Sequence, residues 1–398
     1  MTATTMEKAQ EASQTNQGWL QFYYDHLFPF ADMYKWISYG DSTPTSTFSR
    51  REFSMTLTGD TYLRFKSYKV LDDWRNDVRK MCPIKLDLGG IYNAKPSQRS
   101  AAKDLICIEK EFCIDIDLTD YDDVRTCCSS DRICERCWLF AVAGMKVIDR
   151  ILKNVFAFES LFWVFSGRRG VHCWVCDPIA LSLTSDQRSH LVAFMSVYEG
   201  NQNQSKKVNL HSPLHPTLYD AYTTLEPYFV KIMIMGEGLL RSSDRWGFIL
   251  NMIPDVELRQ QIANHFEQHY DKQDCLTRWK LIKNEVENKA KNSKVRHQYR
   301  WDLVLPEIVF TYTYPRLDVN VSKQLNHLLK MPFCVHPKTG LVCVPIDMEK
   351  ISEFSPFTVP SLKQLYAEMH DDDARGNSLV PYIKARFIIL KQKNFPEL

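Results

Sequence analysis

No apolar run in the sequence approaches the roughly 18–20 residues that a bilayer span requires, which argues against a membrane-spanning helix. The stretch from Met1 to about Gln17 is polar and has no signal-peptide core. It is expected to be disordered. There is no Gly-rich Walker-type phosphate loop and no internal repeat, so nothing points to a P-loop NTPase or a repeat solenoid. A surplus of one charge is missing too: Lys plus Arg is 50 and Asp plus Glu is 48, a net charge of +2. Any surface for nucleic acid must therefore be a local patch. These absences fit a cytosolic or nuclear protein.

What is present is substantial. The 398 residues are 44% hydrophobic, enough for a large core. The length allows two or three domains, or one domain with a large insertion. Of 12 cysteines, eight lie between Cys107 and Cys176. In a reducing compartment such clustering favours metal binding over disulfides.

Residues 19–38 read as one or two aromatic-rich helices. Segments 52–57 and 62–65 alternate with period two and read as strands, with a turn at Asp60. A polar helix is expected over 71–81, and strands at 84–88 and 111–118. An amphipathic helix is expected over 134–155, followed by a strand pair at 161–165 and 171–176. From about 183 to 300 the pattern is mostly helical, with Pro216 and Pro254 as helix starts. Strand-like sequence returns at Glu307–Tyr314 and Leu317–Val321. The expected architecture is an α/β core over 18–182 and 301–398, interrupted by a helical subdomain over 183–300. The Asp371-Asp372-Asp373 run is expected in a solvated or disordered C-terminal loop.

On a strand through Glu111–Leu118, Phe112, Ile114, Ile116 and Leu118 face one side, while Asp115 and Asp117 face the other, about 7 Å apart. Two like charges this close repel unless a cation sits between them. Hard divalent ions take oxygen ligands, and a pair of them about 3.5–4 Å apart can activate a hydroxyl and stabilise a leaving phosphate. A bare D-x-D is also what an edge strand with solvent-facing acids displays. Asp318, in Leu317-Asp318-Val319-Asn320-Val321, is the third candidate, and an ordinary polar strand face would look the same.

Ser166-Gly167-Arg168-Arg169-Gly170-Val171-His172 combines glycines that permit a tight backbone with two guanidinium forks suited to phosphate. It could equally be a hairpin turn with exposed arginines. Lys330 and His336 follow Asp318 closely and extend the basic group. The stretch 272–300 is basic as well, and reads either as a nucleic-acid contact or as a solvated helix face. Cys127, Cys128, Cys134 and Cys137 form C-C-x5-C-x2-C, four thiols within eleven residues. That spacing favours a closed tetrahedral zinc site over an iron–sulfur cluster. His172-Cys173-x2-Cys176 reads as a packed strand face.

These blocks, from Asp115-Ile116-Asp117-Leu118-Thr119-Asp120-Tyr121-Asp122-Asp123 through the four cysteines and the Ser166–Val175 block to Pro315–Lys323 and Val335–Gly340, resemble the small catalytic subunit of eukaryotic DNA primase, in the archaeo-eukaryotic primase family. The resemblance runs from about Tyr23 to Ile346. It implies a mixed-sheet catalytic core with a structural zinc site and a helical subdomain. It implies that Asp115, Asp117 and Asp318 hold two Mg2+ or Mn2+ ions. Ser166, Arg168, Arg169, His172, Lys330 and His336 would bind the incoming triphosphate. Glu52, Tyr62, Arg64, Lys85 and Asp87 would lie near the nucleotide, with Arg64 and Asp87 sensing the ribose 2′-hydroxyl. The implied reaction is synthesis of short RNA primers from ribonucleoside triphosphates on single-stranded DNA. The implied partners are a large primase subunit carrying an iron–sulfur cluster and the DNA polymerase α complex, in the nucleus. The same carboxylates would also suit a two-metal nuclease, and the cysteines alone a zinc-dependent scaffold.

Overall fold

The computed structural model describes residues 16–40, 47–101, 103–197, 208–291 and 299–370. The N-terminal stretch through residue 15 and the Asp371–Asp373 run lie outside them. Gln17 already belongs to a helix, Gln17–His26, whose first free N–H groups at Gly18 and Trp19 are taken by the Asn16 side chain.

The chain divides into two compact units. The first comprises Met1–Asp115, Phe158–Val192 and Asp318–Leu398; the second comprises Ile116–Ala157 and Ala193–Leu317. The first passage of the chain from one to the other, between Asp115 and Ile116, falls within the strand Phe112–Asp117.

In the first unit, β1 (Arg51–Thr56), β2 (Tyr62–Lys66), β3 (Lys85–Tyr92) and β4 (Cys107–Glu109) form an antiparallel sheet in the order β2-β1-β3-β4. Gly59 and Asp60 turn β1 into β2 with positive φ angles. β5 (Phe112–Asp117), β6 (Leu161–Phe165) and β7 (Gly170–Val175) form a second sheet in the order β5-β7-β6. β8 (Leu329–Lys330) pairs with β3 and sets Lys330 opposite Asp87. The helix Leu71–Met81 drives Trp74 into an aromatic cluster with Phe28, Phe30, Phe48 and Phe53. Its last residue is followed by Cys82 in the left-handed region, which ends the helix.

One buried ion pair underlies β5. Arg51 and Glu111, both wholly buried, are joined by two 2.8 Å bonds, and Tyr39 donates its hydroxyl to the same carboxylate at 2.5 Å. Burial works against the Glu111 carboxylate, but the Arg51 guanidinium outweighs it and holds the pKa below its ordinary value.

The second unit is mostly helical. The long helix Glu135–Asn154 and the helix Trp301–Thr313 each pack on Pro216–Phe229, which has Pro216 at its first turn. A π-helical segment, Val230–Gly236, extends it. The helix expected near Pro254 begins at Val256, capped by the Asp255 carboxylate on the Leu258 N–H. Cys275–Lys291 follows.

Two expected strands are helices. Glu307–Thr313 falls in the helix Trp301–Thr313, which Tyr314 ends, and Leu317–Val321 leads through the N-cap Asp318 into the short helix Val319–Lys323. Residues 303–310 are buried on every side, so the helical period is hidden behind a run that is apolar except for Glu307.

Candidate active site

β5 alternates as its sequence requires. Phe112, Ile114 and Ile116 are buried, while Asp115 and Asp117 share the more open face. The Asp117 carboxylate accepts from the Thr119 N–H and hydroxyl, both at 2.9 Å. Asp318 is not on a strand. It caps the helix Val319–Lys323, its carboxylate accepting from the Asn320 N–H at 2.9 Å. Its own N–H donates to the Asp115 carbonyl at 3.1 Å. Residues about 200 positions apart are thus adjacent through their backbones. His172, on β7 beside β5, brings Nε2 to 3.7 Å from Asp115 Oδ1.

The Ser166–His172 block makes the β6–β7 turn. The Gly170 N–H donates to Ser166 Oγ at 3.1 Å and the Ser166 N–H to the Gly170 carbonyl at 2.9 Å. Gly167 has φ +84°, and a Cβ there would lie 2.7 Å from the His336 Cβ. The loop is therefore pressed against the second basic segment. Lys330 Nζ donates to the Ser166 carbonyl at 3.1 Å, and the Thr339 hydroxyl to the Gly167 carbonyl at 2.6 Å. Burial first, then the charges of Lys330, Arg168, Lys338 and Arg169, push the His336 pKa down to about 2. The imidazole is neutral at working pH. Its Nδ1 accepts from the Lys338 N–H at 3.2 Å, so Nε2 carries the proton.

On the first sheet, Asp87 is buried, and Lys85 Nζ lies 3.0 Å from its Oδ2. Ser54 Oγ donates to the same oxygen at 3.3 Å and lies 3.3 Å from the Tyr62 hydroxyl. Asp87 Oδ1 is buried without a hydrogen-bond partner among the described residues, an acceptor that normally finds one. Glu52 is wholly buried and holds Arg64 through bonds of 3.0 and 3.3 Å, with Tyr92 donating to it at 2.8 Å. Glu52 thus orients Arg64. A cleft of about 470 Å³ opens beside Arg64, walled by Phe65, Tyr92, Cys107, Gln324 and Asn326.

His327 was missed by sequence reasoning. Burial, reinforced by Lys110 and opposed by the carboxylates of Asp318 and Asp87, lowers its pKa. A histidine within range of Asp318, Asp87 and Lys85 belongs to the same neighbourhood. Its one signal in the sequence is its position between Asp318 and Lys330.

In the second unit the four sulfurs of Cys127, Cys128, Cys134 and Cys137 lie within 4.8 Å of one another. The Cys134–Cys137 separation is 3.8 Å, the edge expected of a tetrahedron with bonds of about 2.3 Å. Cys134 caps the helix Glu135–Asn154. Arg125 braces the loop, donating to the carbonyls of Arg132 at 3.1 Å and Ser130 at 3.0 Å and to Cys137 Sγ at 3.7 Å. Cys173 and Cys176 are buried among packed side chains. The basic stretch is less available than its charge suggests. Arg278 is buried against Trp246, Phe266 and Tyr270, and Lys283 and Lys289 pair with Glu226 and Asp255. Residues 292–298, with Lys294 and Arg296, lie outside the described residues.

A family model described as DNA primase small subunit matches residues 114–348. The chain belongs to the DNA primase small subunit family. The DNA primase small subunit of Schizosaccharomyces pombe is 35% identical over 95% of this chain and 83% of its own length. That of Drosophila melanogaster is 34% identical over 93% and 86%. The archaeal DNA primase small subunit PriS of Thermococcus sibiricus is 25% identical over 80% and 86%. The family match spans Asp115, Asp117, the four cysteines, the Ser166–His172 loop, Asp318, Lys330 and His336. Glu52, Tyr62, Arg64, Lys85 and Asp87 precede it.

Proposed function

We propose that this chain is the catalytic subunit of a DNA primase, joining ribonucleoside triphosphates into short RNA primers on single-stranded DNA by two-metal nucleotidyl transfer. The observation that carries the reading is the 3.1 Å bond from the Asp318 N–H to the Asp115 carbonyl, in a chain of this family. Asp115, Asp117 and Asp318 would hold the cations. The donor set fits: carboxylate oxygens suit Mg2+ or Mn2+, and Asp318 is exposed while Asp115 is half-buried. Cations held there by Asp115, Asp117 and Asp318 would supply the charge that lowers the pKa of a 3′-hydroxyl and offsets charge on departing pyrophosphate.

The chain's own residues do the rest by position and charge. Arg168, Arg169 and Lys330 supply cations for a triphosphate, with Ser166 and His172 as further donors. Neutral His336 offers its Nε2 proton. Asp87 Oδ1, buried and without a partner among the described residues, would accept from a ribose hydroxyl, with Tyr62, Lys85 and the Glu52-oriented Arg64 around it. Cys127, Cys128, Cys134 and Cys137 would hold one structural Zn2+. The family name small subunit implies a larger partner. The reading places the chain with an iron–sulfur large subunit and the DNA polymerase α complex, in the nucleus.

The test is to mix the purified chain with single-stranded DNA, ribonucleotides and Mg2+ or Mn2+. Short RNA products are expected. Asp117→Ala should lower the rate about a thousand-fold, or roughly 4 kcal/mol of barrier. Near-normal synthesis by that variant, or release of nucleotides from the DNA instead, would refute the reading.

A further inference from the structure

We propose that Lys110 is a positioning residue that sets where Asp318 stands relative to Asp115. The inference rests on the two-metal reading above. Lys110 is 1% exposed, and its ammonium donates to the Gln324 carbonyl at 3.4 Å. Gln324 ends the short helix that Asp318 begins.

The segment from Asp318 to Leu325 is pinned to the β4–β5 segment at both ends. At its start the Asp318 N–H meets the Asp115 carbonyl at 3.1 Å. At its end Lys110 reaches Gln324, and Cys107 Sγ lies 3.3 Å from the Leu325 carbonyl. Without Lys110, the side-chain anchors left near the far end are Cys107 on the Leu325 carbonyl, a weak thiol donor, and Arg64 on the Asn326 carbonyl at 3.3 Å, one residue beyond the segment.

The base on which Lys110 stands is rigid. Its N–H donates to the Leu181 carbonyl at 3.0 Å. Wholly buried Arg188 donates to the Lys110 carbonyl and, at 2.9 Å, to the Glu111 carbonyl. Glu111 is in turn locked to Arg51. Burying an ammonium is costly, and an apolar side chain would fill the space more cheaply. A lysine supplies what an apolar residue cannot: a donor that fixes a backbone carbonyl at the far end of a metal-ligand segment. Partners bonded directly to a metal ligand typically change metal affinity or activity 10–100-fold; Lys110 acts on the ligand through the short helix, so the low end of that range is expected.

The experiment measures direct Mn2+ binding to the full chain, by the paramagnetic resonance signal of free Mn2+, together with the metal dependence of primer synthesis. Lys110→Met should raise the Mn2+ midpoint about 10-fold, with KM for ribonucleotide at saturating metal unchanged within about 2-fold. Lys110→Arg keeps a charge and a donor but lengthens the arm, and should shift the midpoint about 3-fold by moving the segment. It carries the test if the Met variant does not fold. A lower melting temperature with the wild-type midpoint in whichever variant folds would reduce Lys110 to a structural role and overturn the proposal. Asp318→Asn separates the two ideas. If it binds Mn2+ and works like wild type, the two-metal reading fails. If it is inactive while the Lys110 variants keep the wild-type midpoint, only the Lys110 inference fails.

Discussion

Asp87 shows how much a single side chain carries. One oxygen is held by Lys85 and Ser54, while the other is buried and unpartnered among the described residues. A hydrogen bond to a charged group contributes about 1.5–3 kcal/mol, roughly 10–100-fold. Asp87→Asn should therefore lower the ratio of kcat/KM for ribonucleotides over deoxyribonucleotides by at least about ten-fold. An unchanged ratio would remove Asp87 from sugar recognition. Asp87 could be named from the sequence only through the family resemblance, because alternation on β3 does not show which carboxylate has an open lone pair. His327 lacked even that: a lone histidine in Asn326-His327-Leu328 carries no spacing signal, and its company appears only once β8 pairs with β3.

The β6–β7 turn shows what an element contributes. Gly167 adopts a left-handed φ of +84°, and any side chain there would strike the His336 Cβ. Gly167→Ala thus adds backbone strain, about 1–2 kcal/mol, to a clash that pushes the turn away from Lys330 and His336. KM for ribonucleotide should rise several-fold, with kcat less affected; steady-state kinetics with unchanged KM would show that the turn does not shape the pocket. This turn and β5 were legible because their patterns are local: glycines at a turn, acids alternating with apolar residues. The segment carrying Asp318 was legible as a candidate but not as a structure. Val319 and Val321 imitate a strand, yet the Asp318 carboxylate caps the N–H groups that follow and starts a helix. The same failure befell residues 307–314, nearly all of them buried, which erases the period that would have marked a helix. The charged run Glu109-Lys110-Glu111 gave no hint that Lys110 and Glu111 are buried, since each depends on a partner distant in the sequence, Gln324 or Arg51.

Across the molecule a net charge of +2 conceals strong local fields. Arg168, Arg169, Lys330 and Lys338 gather around His336 and account for part of its depressed pKa. In contrast, Arg278 on the basic helix Cys275–Lys291 is consumed by the core of the second unit, and Lys283 and Lys289 by ion pairs. Placement, more than count, sets which charges a ligand could meet. The central claim is that Asp115, Asp117 and Asp318 share a pair of divalent cations. The most direct measurement is anomalous diffraction from crystals of the protein soaked with Mn2+ and a nonhydrolysable ribonucleoside triphosphate. The account predicts two manganese peaks about 3.5–4 Å apart, bound by the carboxylates of all three aspartates. Peaks that leave Asp318 unligated, or no peak at β5, would contradict it.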